Sequence, residues 1–125
     1  MKQNVLKIAA ALPGIPMLLI ALGLMLQPEQ ALLNLNMPML AGASLSTQLG
    51  DMTAFFLCAG VFISMGAFHS APRWLYAGAA LFIVAAFART LAWLAHGADL
   101  SIDLITVEVI STVWLVVCAK LMTRS

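Results

Sequence analysis

The sequence predicts an all-α protein, an antiparallel bundle of four transmembrane helices with both termini cytoplasmic. Three observations predict it. Hydrophobic residues make up 63% of the 125 and charged residues 9%, with a mean hydropathy of +1.04. A soluble domain of this size needs a charged surface that so few ionisable side chains cannot supply. Four apolar segments each approach the roughly 20 residues that a helix rising about 1.5 Å per residue needs to cross a bilayer. Finally, the basic residues gather on alternate connections between these segments, as the positive-inside rule requires.

The expected spans cover residues 5–26, 45–68, 75–95 and 102–122 of one integral membrane domain, residues 1–125. A basic stretch, residues 1–7, precedes the first. Its apolar run is longer than a signal-peptide core and no A-x-A-like site follows, so it reads as a retained first helix. Pro13 and Pro16 fall inside it and predict a kink, tolerable where neighbours re-satisfy the freed carbonyls.

Residues 28–44 form a long connection, PEQALLNLNMPMLAGAS, that is not simply polar. It reads as an outer interfacial segment, lying along the membrane surface or folded back over the bundle mouth as a lid. Pro72, with His69 and Ser70, marks the short second connection, and Gly97 breaks the chain after the third span.

Lys2, Lys7, Arg73, Lys120 and Arg124 all fall on one side of this topology. The other connections carry Glu29, Asp99 and Asp103 and no Lys or Arg. The localisation expected is a bacterial cytoplasmic (inner) membrane, crossed several times. Trp74 and Tyr76 suit the inner interface and Trp93 the outer one, while Trp114 lies deeper and is expected to pack.

Arg89, the sixth basic residue, sits inside the third apolar run, where a charge is expensive and normally has a partner. Asp51 and Glu108 lie in the second and fourth. Each of the three is about six residues, or roughly 9 Å, from the expected outer end of its helix. Arg89, Asp51 and Glu108 are therefore the candidate ligand-binding or proton-linked cluster. One guanidinium facing two carboxylates leaves a net negative charge in a low dielectric, which a shared proton would neutralise. The guanidinium can fork onto a carboxylate, a phosphate or a quinone carbonyl. A purely structural ion pair that fixes helix packing is the competing reading.

The expected pocket neighbours follow from helical spacing. Arg89, Trp93 and His96 stand at i, i+4 and i+7. Glu108, Ser111 and Thr112 share a face of span four. Gln48 and Asp51 share one on span two, continued by Phe55 and Cys58. Trp93, Phe55 and Phe87 are candidate walls for a small amphipathic ligand.

No metal is expected: His69 and His96 lie near opposite faces, and the methionines form no regular Met-x-x-Met array. Cys58 and Cys118 differ in depth by roughly 10 Å of helical rise, too far for a disulfide, and read as buried free thiols. The small residues of span three, from Ala77 to Ala92, suit a helix at the bundle centre, and Gly60 with Ser64 suits close packing or self-association. A net charge of +1 gives no electrostatic case for nucleic acid.

Four stretches also resemble the small four-helix bacterial membrane proteins of the DoxX-like superfamily, in particular a branch known as a domain of unknown function. They are GLMLQPEQALLNLNMP, QLGDMTAFFLCAG, FARTLAWLAHGAD and the embedded Glu108, spread over residues 23–121. That branch often has Asn and Arg at the opening of span two, where this chain has Gln48 and Asp51. The resemblance implies an antiparallel four-helix membrane bundle. Some relatives in the wider superfamily are linked to quinone-dependent sulfur oxidation, others to assembly of membrane complexes. It carries over no catalytic residue.

Three functions remain open on these grounds. The first is a non-enzymatic membrane protein binding a lipophilic or amphipathic ligand, a lipid or quinone, at the Arg89 cluster. The second is an accessory or assembly subunit with a structural charge cluster, whose partner is another membrane protein or a second copy. The third is a subunit of a quinone-linked oxidoreductase, for which no redox centre can be assigned.

Overall fold

The computed structural model describes residues 2–124. Met1, the start of the basic stretch, and Ser125, the end of the expected domain, lie outside the described residues. Six α-helices follow one another: α1 Lys2–Ala11, α2 Gly14–Leu26, α3 Pro28–Asn34, α4 Gly42–Phe68, α5 Pro72–His96 and α6 Ile102–Arg124. Among the described residues there is no strand. Four stretches of the described residues are long and apolar enough to cross a membrane: Lys2–Leu26, Gly42–Phe68, Pro72–His96 and Ile102–Arg124.

The first span is two helices because Pro13 and Pro16 lack the N–H groups that would bond the carbonyls of Ala9 and Leu12. Ile15 N–H donates to Leu12 O at 3.3 Å instead. Trp114 in α6 donates its indole N–H to Ala9 O at 2.7 Å. The break is thus repaired partly within the chain and partly by a helix about a hundred residues away.

Helix ends follow recognisable chemistry. After α3, Asn36 takes a positive φ of 63°. Its N–H bonds Leu33 O, and Met37 N–H bonds Leu32 O, a Schellman closure with Asn where Gly is commoner. The hydrophobic contact of that motif is present, since Leu32 is fully buried and Met37 packs against the core. The end of α4 repeats it. Ser70 has φ 48°, Ser70 N–H bonds Ala67 O, and Ala71 N–H bonds Gly66 O. Pro72 then opens α5 in a position where its missing N–H costs nothing. Gly97, at φ 73°, ends α5 in a left-handed conformation that lacks steric cost only for glycine.

The core runs through Met17, Ala21, Leu24, Leu32, Phe56, Ile63, Leu75, Phe82 and Leu115. Helix α4 packs against α1, α2 and α5, whereas α5 packs against α4 and α6, and α1 closes the ring onto α6. The four spans thus form a ring in which α4 is the most enclosed, and span three, expected at the bundle centre, is buried no more than span four. Close approach of neighbouring helices encloses α4. A methyl on Gly60 would stand 2.5 Å from Leu18 Cγ, and one on Gly66 would stand 2.7 Å from Leu75 Cδ2. Methyls on Gly14 and Gly78 would both press on Ile63, at 3.0 and 2.9 Å. Glycines thus line the seams where neighbouring helices meet α4.

Only 22–33% of the most apolar stretch of each span is buried inside the protein. Leu19, Val84, Phe87, Leu94, Ile110 and Val113 point outward and are at least 57% exposed. Apolar surface on this scale around every long helix matches a lipid environment and would be strongly penalised in water.

Candidate functional site

Arg89 and Glu108 face each other across the α5–α6 seam. The Nε–H of Arg89 is shared between both carboxylate oxygens, at 3.0 Å to Oε1 and 3.2 Å to Oε2. The Glu108 side chain is 8% exposed and that of Arg89 36%, so the acid is enclosed and the base reaches outward. Thr112 Oγ donates to Glu108 O at 2.8 Å, and Thr90 Oγ to Ala86 O at 2.9 Å. Each threonine hydroxyl thus finds a carbonyl within its own helix.

A guanidinium offers five N–H groups, and this ion pair uses one. Among the described residues the two η nitrogens of Arg89 have no hydrogen-bond partner. Arg89 borders a cavity of about 510 Å³. Leu35, Asn36 and Met37 of the α3–α4 connection close one side of it. Helix α4 contributes Asp51, Met52, Phe55 and Phe56, α5 contributes Ala85 and Arg89, and the start of α6 contributes Ser101 and Leu104. Phe55 stands edge-on to Phe56 at 5.1 Å and to Phe82 at 6.2 Å, which ties the aromatic wall to the core. The size and the apolar lining with a few polar groups match ordinary small-ligand sites, roughly 300–1,000 Å³.

Asp51 borders this cavity but forms no ion pair with Arg89. It is exposed and, among the described residues, has no hydrogen-bond partner. Glu108, not Asp51, is the direct partner of Arg89.

Gln48 and Asp51, expected on one face, are divided. Gln48 belongs to the buried row with Phe56, Ala59 and Ile63, while Asp51 belongs to the exposed row with Ala54, Cys58 and Val61. Three residues advance a helix by about 300°, leaving the pair about 60° apart, enough to straddle the boundary between inside and outside. Cys58 is consequently exposed and only Cys118 is buried, which corrects the expectation of two buried thiols; both are free.

Gln48 has a distinct task. Its Oε1 accepts from Leu40 N–H at 3.1 Å and its Nε2 donates to Pro38 O at 2.9 Å. One buried amide therefore satisfies a donor and an acceptor of backbone that belongs to no helix, pinning residues 38–40 against α4. A second hollow of about 510 Å³ lies there, lined by Leu40, Ser44, Thr47 and Gln48 and sharing Met37, Asp51 and Met52 with the Arg89 cavity.

Of the other expected neighbours, Phe55 lines the cavity. Trp93 and His96 are exposed, Ser111 and Thr112 are half-buried, and none of the four borders the cavity. Phe87, expected as a wall, is 69% exposed and turned outward. The expected depths also shift, because α4 begins at Gly42 and not at 45, placing Asp51 about three residues deeper in its helix. Sequence reasoning missed Phe56, Met52 and Ser101. Phe56 was legible as the neighbour of Phe55, whereas Ser101 enters only through the fold of the α5–α6 connection. Among the described residues no three His, Cys, Asp or Glu side chains gather as a metal site.

No protein-family model, curated protein or solved structure matches this chain.

Proposed function

We propose that this chain is an integral protein of a bacterial inner membrane that binds a small lipophilic or amphipathic ligand, a lipid or a quinone, beside Arg89. The four long helices run antiparallel and the two termini lie in the cytoplasm. The 27–41 and 97–101 connections then face outward, and the cavity opens in the outer leaflet. The charge pattern supports this orientation, since Lys and Arg avoid both of these connections.

The observation that carries the reading is the unspent part of Arg89. A side chain retained only to pair with Glu108 has no need to border a cavity with both η nitrogens unpartnered. A phosphate or carbonyl oxygen presented there meets a donor fork, and a tail meets Phe55, Phe56 and Met52. The DoxX-like resemblance agrees with a four-helix membrane bundle and is part of the same proposal.

The test is native mass spectrometry of gently solubilised protein, with extraction and identification of what it carries. A recurring small molecule is expected in the wild type. Arg89→Lys preserves a cation opposite Glu108 but removes the planar fork, so it should weaken retention while the protein remains folded. An empty wild-type protein would overturn the reading in favour of a structural ion pair. So would a ligand held equally by Arg89→Lys and by the double variant Arg89→Gln, Glu108→Gln.

A further inference from the structure

The cavity presents two unsatisfied poles of opposite sign. Arg89 and Glu108 cancel one another in formal charge, yet the η nitrogens of Arg89 are unpartnered. Asp51 supplies an unpartnered carboxylate on the α4 side of the same space. The two poles do not meet in an ion pair. Between and around them the lining is Met37, Met52, Phe55, Phe56 and Leu104, with Ser101 as a further polar group.

From this juxtaposition, and resting on the ligand-binding reading above, we infer that the site takes a zwitterionic amphiphile of the aminoalkyl phosphate ester class. Its phosphate lies on the η nitrogens of Arg89, its ammonium on Asp51, and its aliphatic part against the methionine and phenylalanine wall.

Charge accounting selects this class. Without ligand the formal charges of the three side chains sum to −1. A lipid with a net anionic headgroup raises the total to −2 beside an unpaired carboxylate, in surroundings of low dielectric where like charges repel strongly. In the proposed orientation the same side of the membrane carries Glu29, Asp99 and Asp103, all exposed, and no Lys or Arg to offset them. A zwitterion leaves the total unchanged and sets each of its charges against an opposite one. A neutral quinone satisfies Arg89 but leaves Asp51 facing an apolar ring. Asp51 also borders the adjoining hollow with Ser44 and Thr47, so the ammonium has hydroxyl groups beside its path.

The full-length protein, stripped of lipid by detergent exchange, is titrated separately with phosphatidylethanolamine, phosphatidylglycerol and a short-tailed ubiquinone, and bound mass is read by native mass spectrometry. Phosphatidylethanolamine should saturate at a concentration at least about tenfold lower than phosphatidylglycerol. Asp51→Asn, a change at an exposed and unpartnered side chain, should bring the two lipids within about twofold of each other. Equal binding of both lipids to the wild type, or a ratio untouched by Asp51→Asn, overturns the inference. Retention of the quinone alone overturns the zwitterion while leaving ligand binding at Arg89 standing. No retention of any probe by the wild type overturns both.

Discussion

Trp114 donates its indole N–H to the carbonyl oxygen of Ala9 at 2.7 Å. That carbonyl is the one Pro13 leaves without a helical partner, four residues upstream of a residue with no N–H. The kink in the first span and the tryptophan in the last therefore form a single device. In lipid an unpaired carbonyl has no water to turn to, so its repair matters more than on a soluble surface.

Trp114→Phe keeps an aromatic ring in place and removes the donor. It should lower stability by about 1–3 kcal/mol, the cost of an orphaned polar group away from water. Pro13→Ala restores the helical N–H for Ala9, and in that background Trp114→Phe should cost little. Denaturant-induced unfolding in mixed micelles gives the double-mutant cycle, and strictly additive effects would sever the proposed link.

Glycine packing gives a sharp contrast within α4. Gly60→Ala places a methyl 2.5 Å from the Leu18 side chain and 3.2 Å from its backbone nitrogen. The α2–α4 seam must open, at about 1–3 kcal/mol. Gly50→Ala meets nothing within 4 Å and should be neutral or stabilise the helix by up to about 1 kcal/mol. Melting temperatures of the two variants in one detergent check the order.

Removing Arg89 alone leaves the Glu108 carboxylate enclosed without its cation. Arg89→Gln should cost about 3 kcal/mol, toward the low end for buried pairs because the arginine is itself 36% exposed on its side chain. The double variant Arg89→Gln, Glu108→Gln should recover much of that loss. Unfolding midpoints of the three proteins, at equal detergent concentration, test it. A double variant as unstable as the single one would show that the cost lies elsewhere.

Gln48→Ala removes both hydrogen bonds to the 38–40 backbone. The amide of Leu40, now without an acceptor, should exchange with solvent at least about tenfold faster, while amides in the middle of α5 stay protected. Hydrogen-exchange mass spectrometry over residues 35–44 reads this directly.

Thiol chemistry checks the facing of α4. A small membrane-permeant maleimide should label Cys58, which is exposed, and spare Cys118, which is 4% exposed. Mapping of the labelled peptide settles the point, and a Cys58 left unlabelled while Cys118 reacts would overturn the outward facing of Cys58 on α4.

The number and approximate limits of the long helices were legible in the sequence because an apolar run of some twenty residues is a local property. The same holds for the proline break in the first span. Arg89, Asp51 and Glu108 also stood out by themselves, as ionised residues in apolar surroundings. The way they combine did not. Glu108 pairs with Arg89 because α5 and α6 lie side by side, whereas Asp51 stands on the outward row of α4 and only borders the cavity. Gln48, one turn away and about 60° around the helix, turns inward to hold residues 38–40. Sequence spacing places residues on a face, but a neighbouring helix decides where that face ends. The greater enclosure of α4, the donor that Trp114 lends to Ala9, and the unspent nitrogens of Arg89 depend on contacts between distant parts of the chain. Only the tertiary structure decides those, because each needs two helices brought to a definite separation and rotation.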